Sequence, residues 1–430
     1  MKLNMAGIEQ RSVCNGVNFC SIRDERFKTI RMSVHFLWPL TEKTVSANSI
    51  LPFLLSRASR KYPDFTKLNE HLAELYGAVL DADVQKLGDA QVLSVSASGI
   101  ADHYSLHGES ISAELAKLLC SIIFDPPFEN GAFPIQSFEQ EKRQLIEMLD
   151  SEFNDKRVYS KLKCERLMCA KEPYGIGRCG TRQQLQNLTR EGLTQAWTNL
   201  IHRARVEIMV LGDCDPEPIY HDFYAAFQNL ARTDSVNCPN TTIPKASEVN
   251  RVSEKMDVVQ SKLVMGFRTD CAEPDSGVPA MKLFSALYGG TPNSKLFLNV
   301  REKLSLCYYC SSMYNPIKGL MLVQSGVETK NISHAEQEIL RQLEEVRNGN
   351  FDGSELSAAK LSLCNSYRTL SDSLDGLEAW YLSQAFRPNV KSPENEAELV
   401  QAVAREEVMN AARKITLDTV YCLEGSGVEA

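Results

Sequence analysis

Long apolar runs are missing from this chain. No stretch of its 430 residues approaches the roughly 20 apolar residues that a membrane-spanning helix needs. Segments such as 118–124 read as helix core or strand. Residues 1–11 hold no apolar run of signal-peptide length. A basic excess is missing too. The net charge is −8, which argues against a large nucleic-acid footprint. The expectation is a cytoplasmic protein with no membrane span and no nucleic-acid partner.

No cysteine framework is visible either. The 13 cysteines are an odd number scattered from Cys14 to Cys422, so they read as reduced, mostly buried thiols. Cys307-Tyr308-Tyr309-Cys310 matches C-x-x-C, but a regular strand points its first and fourth residues to opposite sides. There is no Ser-His-Asp pattern with a nucleophile elbow and no phosphate-binding glycine loop ahead of a lysine. His103 and His107 are four residues apart, but they fall between a strand end and a helix start without an acidic partner. They read as solvated loop residues. His35, His71, His202, His221 and His334 are isolated.

At this length two or more domains are expected. Residues 231–250 carry Asp, Asn, Ser, Thr and Pro and almost no large apolar side chains, the composition of a linker between 1–230 and 251–430. The two halves repeat one unit. Residues 68–98 and 297–327 both read helix, strand, turn, strand, and they align without a gap. Leu75 falls on Leu304, Val92 on Met321 and Ser96 on Ser325. An amphipathic helix follows each, from Ile111 and from Ile332. The fold class is therefore α+β: two duplicated domains, each a mainly antiparallel sheet with helices packed on one face. Residues 27–36 alternate as a half-buried strand should.

The most informative stretch runs from Gly289 to Tyr308. Leu296, Val300 and Leu304 recur at four-residue spacing and predict one apolar helical face. Short β-prone runs at 307–312 and 320–326 then flank a hairpin loop at 315–319. Arg301 lies late on the helix and Tyr308 early on the strand. A guanidinium and a phenol are good donors for a peptide carbonyl or the oxyanion formed from it. The plainer alternative is a surface arginine beside a packed tyrosine. The repeat weighs against it, because the matching positions in the first half are Leu72 and Val79.

Tyr288-Gly289-Gly290, Val300-Arg301-Glu302-Lys303 and Leu306-Cys307-Tyr308 resemble the pitrilysin/insulinase zinc metallopeptidases. Phe138-Glu139-Gln140-Glu141-Lys142, Gly177-Arg178-Cys179-Gly180-Thr181 and Leu188-Thr189-Arg190-Glu191-Gly192-Leu193 look like further landmarks. The likeness spans essentially the whole chain and is to the half-length, two-domain, processing-peptidase-like branch. It implies half of a clam-shell chamber. In that family the N-terminal domain carries H-x-x-E-H, whose histidines bind zinc and whose glutamate is the general base, plus a distal glutamate. Here Arg57-Ala58-Ser59-Arg60-Lys61-Tyr62-Pro63 matches the downstream flank. Counting back puts the motif on Ser49-Ile50-Leu51-Pro52-Phe53, and the distal ligand falls on Met148, beside Glu147. Ser49, Pro52, Phe53 and Met148 are thus degenerate metal positions, and no metal is expected in this chain.

Arg301 and Tyr308 do match the family's substrate-binding pair. The resemblance therefore implies a non-catalytic subunit of a heterodimeric metallopeptidase, inactive alone and binding no cofactor. A paralogous partner subunit would supply the zinc, and the substrate would be a peptide or unfolded polypeptide. The alternative is a catalytically inert scaffold or peptide-binding module of the same fold. A third reading is an enzyme in its own right with an unrecognised metal site.

Overall fold

The computed structural model describes residues 7–387 and 389–425. They form two compact units, each built on one sheet. The first sheet contains β1 (Ile8–Cys14), β2 (Val17–Arg23), β3 (Thr29–Pro39), β4 (Val79–Leu87), β5 (Ala90–Ile100) and β6 (Arg205–Gly212). Its order is β1-β2-β6-β3-β5-β4, antiparallel except for the β2–β6 pair. The second contains β7 (Asn250–Met256), β8 (Ser261–Arg268), β9 (Cys307–Asn315), β10 (Leu320–Val327) and β11 (Thr416–Gly425), in the order β7-β11-β8-β10-β9. Its one parallel pair is β7–β11. Strands β2-β6-β3-β5-β4 and β7-β11-β8-β10-β9 thus share order and direction, and the repeat read from the sequence is a repeat of topology. The first sheet adds β1 as a hairpin partner of β2.

Helices cover one face of the first sheet with an apolar core. Ile50, Leu54, Leu115, Leu119, Ile122 and Leu200 are among its buried side chains. The other face of each sheet is not bare. It receives a single helix from the opposite half of the chain. The segment Ser151–Gly175 belongs to the second unit, and Ser373–Phe386 belongs to the first. In the second unit, helix Lys156–Met168 lies on β8 and β11, where Cys164 and Met168 pack with Val264, Leu322 and Tyr421. The approach is close: a side-chain carbon on Gly266 would stand 2.6 Å from Met168 Sδ. In the first unit, helix Leu374–Leu382 lies on β3 and β6.

Each exchanged segment is anchored by buried charge. Glu172 accepts a hydrogen bond from Arg268 Nη1 at 2.7 Å and lies 3.1 Å from Lys318 Nζ. Arg268 also donates to Asp418 Oδ2 and to the Met168 carbonyl, both at 2.7 Å. All four charged side chains are buried, two of each sign. Asp418 reaches this cluster because it is the extra residue of a bulge in β11, between Leu417 and Thr419. Lys318 comes from the β9–β10 hairpin loop. In the first unit Arg31 pairs with Glu378, and Glu378 Oε1 lies 3.2 Å from His35 Nε2.

β3 departs from the expected half-buried strand. Ser33 and His35, on its polar side, are buried as completely as Val34 and Phe36. The Leu374–Leu382 helix that covers them is a long way off in the chain, so their alternation looks like a solvent face in the sequence.

Removing one member of a buried ion cluster leaves its partners uncompensated. Arg268→Met should lower unfolding free energy by about 3–5 kcal/mol, read from urea midpoints. Lys67→Ala, which breaks the exposed Lys67–Glu70 pair at 2.7 Å, should leave the midpoint nearly unchanged.

Candidate functional site

The link from the helix carrying Arg301 to the strand carrying Tyr308 is irregular. Leu304 N–H donates to Asn299 O, five residues back, and Leu306 N–H donates to Val300 O, six back, both at 3.1 Å. Helix Leu296–Lys303 is therefore wound wider than an α-helix, as π-type turns are. Ser305 then adopts a left-handed backbone (φ +49°), and the chain turns into β9. The widening corrects one expectation. Leu296 and Val300 are buried, but Leu304 is turned outward and 39% exposed. Gly289 sits under this link, where a side-chain carbon would stand 2.7 Å from the Ser312 amide nitrogen.

β9 is the edge of its sheet, and it is bulged. Tyr309 pairs with Gly326 and Cys307 with Val327, which leaves Tyr308 as the extra residue. Its counterpart in the first half, Val79, pairs with Ser98 in an unbroken register. Tyr308 is 62% exposed. The Arg301 side chain is 40% exposed, with its guanidinium 4.7 Å from the Phe297 ring centre and 3.6 Å from Glu302. Both donors are thus carried by one short link and open to solvent.

The same bulge overturns the expectation that Cys307 and Cys310 face opposite sides. Cys310 pairs with Ser325 and Cys307 with Val327, two residues apart on β10, so both thiols point to one face. Both are buried.

The helix expected to hold a metal motif spans Val45–Leu55. Ser49 is fully buried and donates to Ser46 O at 2.9 Å. Pro52 is buried inside the helix, and its carbonyl accepts from the Ser56 hydroxyl at 2.7 Å. Phe53 and Met148 pack partly buried against the core. A hydroxyl turned onto its own helix, a pyrrolidine, a phenyl ring and a thioether do not make a zinc site, which takes imidazole, thiolate or carboxylate. Among the described residues no group of three or more His, Cys, Asp and Glu is placed to hold a metal ion. Glu141, on the neighbouring Ile135–Asn154 helix, is buried and engaged by Arg57 at 2.6 Å. His103 is half-exposed beside Asp213, and His107 is exposed.

His35, isolated in the sequence, has close partners in the fold. In the structure Ser94 Oγ lies 2.7 Å from its Nδ1 and Ser33 Oγ 2.8 Å from its Nε2. Arg31 also meets Asp375 at 3.0 Å. The available signal was the polar set Arg31, Ser33 and His35 on one side of a strand that would otherwise be core.

The fold and the site together define a class: a metallopeptidase-like chain whose metal helix is filled with packing residues while a guanidinium and a phenol stay exposed. Comparison with known proteins agrees. Residues 187–363 match the model of the family described as the peptidase M16 inactive domain. The chain is 31% identical over 419 residues to the "Probable inactive metalloprotease YmfF" of Bacillus subtilis, covering 97% of this chain and 98% of that one. An "Uncharacterized zinc protease" of Rickettsia bellii is 24% identical over 223 residues, 51% of each chain. A conserved protein of Enterococcus faecalis has the same structure with a TM-score of 0.91 and 30% identity, over 99% of this chain and 100% of that one. A peptidase M16 inactive domain from Pseudomonas fluorescens shares the fold at a TM-score of 0.78 and 15% identity, over 98% and 99%. The chain belongs to the M16, or pitrilysin/insulinase-type, metallopeptidase family. Among the described residues no helix is long and apolar enough to cross a membrane.

Burial pushes the Glu378 carboxyl up, but the hydrogen bond from His35 and the charges of His35 and Arg31 outweigh it and hold the group below its usual value. A carboxylate depressed in the folded state adds stability above its unfolded pKa of about 4.3 and loses that contribution as pH falls through its folded value. The stability difference between wild type and Glu378→Gln, measured by urea unfolding, should therefore be full at neutral pH and shrink below about pH 4.3.

Proposed function

We propose that this chain is the non-zinc subunit of a heterodimeric metallopeptidase. Its role is to present Arg301 and Tyr308 to the carbonyl of a peptide whose other side faces a partner's metal. The observation that carries this reading is the contrast between the two halves of the repeat. The second half keeps an exposed guanidinium and phenol on an irregular edge link, while the metal helix of the first is packed with side chains that ligate nothing. Such donors act on charge that develops in the transition state. A partner's metal would supply the Lewis acid and the hydroxide, and the N–H groups of Arg301 and the O–H of Tyr308 would stabilise the oxyanion. The partner is a paralogous chain with H-x-x-E-H, and the substrate is a peptide or an unfolded polypeptide.

Co-expression with an H-x-x-E-H paralogue from the same genome tests this. The expected result is a complex that cleaves unstructured peptides, with kcat lowered on the order of a hundredfold to a thousandfold by Arg301→Ala with Tyr308→Phe. Failure to form a complex, or unchanged cleavage by the double variant, sinks the proposal and leaves the inert scaffold or peptide-binding module. Stoichiometric, chelator-sensitive zinc on this chain alone would also overturn it.

A further inference from the structure

Tyr309, the residue after Tyr308 on β9, brings two cations together. It pairs with Gly326 on β10, and Gly326 pairs with Lys262 on β8, so the three form one row across the sheet. Directly paired residues point to the same face, and here it is the face that helix Lys156–Met168 covers. Gly326 keeps the middle of the row open. A side-chain carbon there would stand 2.5 Å from Tyr309 Cε1 and 2.6 Å from Gln260 Oε1. The Tyr309 ring therefore lies against the glycine, with Lys262 Nζ 6.0 Å from the ring centre. From the first turn of the covering helix, Arg157 brings its guanidinium to 4.3 Å from the same centre. Both distances are within reach of a cation–π contact.

Among the described residues neither Arg157 nor Lys262 is in an ion pair. Lys262 donates to the neutral Gln260 amide oxygen. The nearby carboxylate, Asp155, caps the helix, accepting from the backbone N–H of Arg157 at 2.9 Å and of Val158 at 3.1 Å. Burial and then the Arg157 charge hold the Lys262 ammonium below its ordinary value, and Asp155 opposes them only in part. Like charges held this close disfavour one another. Arg157 is exposed and Lys262 half-buried, so an anion from solution can reach both. A guanidinium fork takes both oxygens of a carboxylate, and an ammonium adds a further donor.

We propose that Arg157 and Lys262, set around Tyr309, bind a carboxylate of the peptide whose carbonyl Arg301 and Tyr308 face. This chain then selects peptides that carry an acidic side chain or a free C-terminus at that point. The inference takes its position from the reading of Arg301 and Tyr308 as a carbonyl-binding pair. An extended peptide advances about 3.3 Å per residue, so the carboxylate belongs to a residue within a few positions of that carbonyl.

The test is isothermal titration of the isolated full-length chain with unstructured peptides in matched pairs. One pair has capped ends and differs only in Glu for Gln. The other is neutral in sequence and ends in a free carboxylate or an amide. In at least one pair the charged member should bind about tenfold more tightly or better, and the pair that responds identifies the source of the carboxylate. Arg157→Gln and Lys262→Gln should each erase most of that preference, and Lys67→Ala, which removes a cation elsewhere, should keep it. Lys262→Glu should turn the preference toward a peptide with Lys in place of Gln, a gain that an unfolded variant does not show. Equal affinity within both pairs, absence of binding to all four peptides, or a preference that survives both Gln variants overturns the proposal. The readout needs no partner. A complex that cleaves peptides without this preference sinks the carboxylate site and spares the subunit reading, whereas the preference without a cleaving complex does the reverse.

Discussion

Glu172 is the group on which the second unit depends. It arrives on a segment that the first half of the chain contributes, and it is buried between Arg268 and Lys318. Each isolated charge at such a depth would cost several kcal/mol in lost hydration. Two cations and two carboxylates with fixed hydrogen bonds compensate one another, and only one placement of the segment achieves this. The cluster is thus a register device more than a source of net stability. Arg31, His35 and Glu378 do the same for the first unit, with the contributing half of the chain reversed: there the sheet supplies Arg31 and His35, and the carboxylate arrives on a helix from the second half.

This arrangement explains what was legible in the sequence. The repeat was visible because apolar periodicity and turn chemistry are local, and 68–98 and 297–327 carry them in the same register. The anchors were not visible, because a charge on a strand reads as solvent-facing unless the covering element is known. Glu378 meets Arg31 from 347 positions further along the chain. His35 therefore looked isolated, and Lys318 looked like an ordinary hairpin-loop residue.

The candidate site was legible in its residues but not in its backbone. Arg301 and Tyr308 stand out by chemistry, and the degenerate Ser49, Pro52, Phe53 and Met148 stand out by what they cannot ligate. A bulge is a property of two paired strands, so β9 alone gave no sign that Tyr308 is an inserted residue. For the same reason regular strand alternation misplaced Cys307. The wide helical turn likewise depends on where Leu306 and Ser305 take the chain afterwards, which helical periodicity does not encode.

The two halves have spent their irregularity in different places. In the first, the motif helix runs into the core, and β4 keeps an even register with β5. In the second, a π-type turn, a left-handed serine and a bulge fall within eleven residues of Val300. A non-glycine residue held in the left-handed region costs roughly 1–2 kcal/mol, and local strain of this kind persists where surrounding structure over-determines it. Here the surroundings do so: Gly289 admits the Ser312 backbone, Val300 fills the core beneath, and the edge strand leaves room for the extra residue. The result turns Tyr308 outward and Cys307 inward at successive positions, with Arg301 close enough for its charge to act on the Cys307 thiol. Val79, at the matching place in the even register of β4, is exposed as well, so what the bulge adds is an extra residue: Cys307 stays paired and buried while Tyr308 stands beside it in solvent.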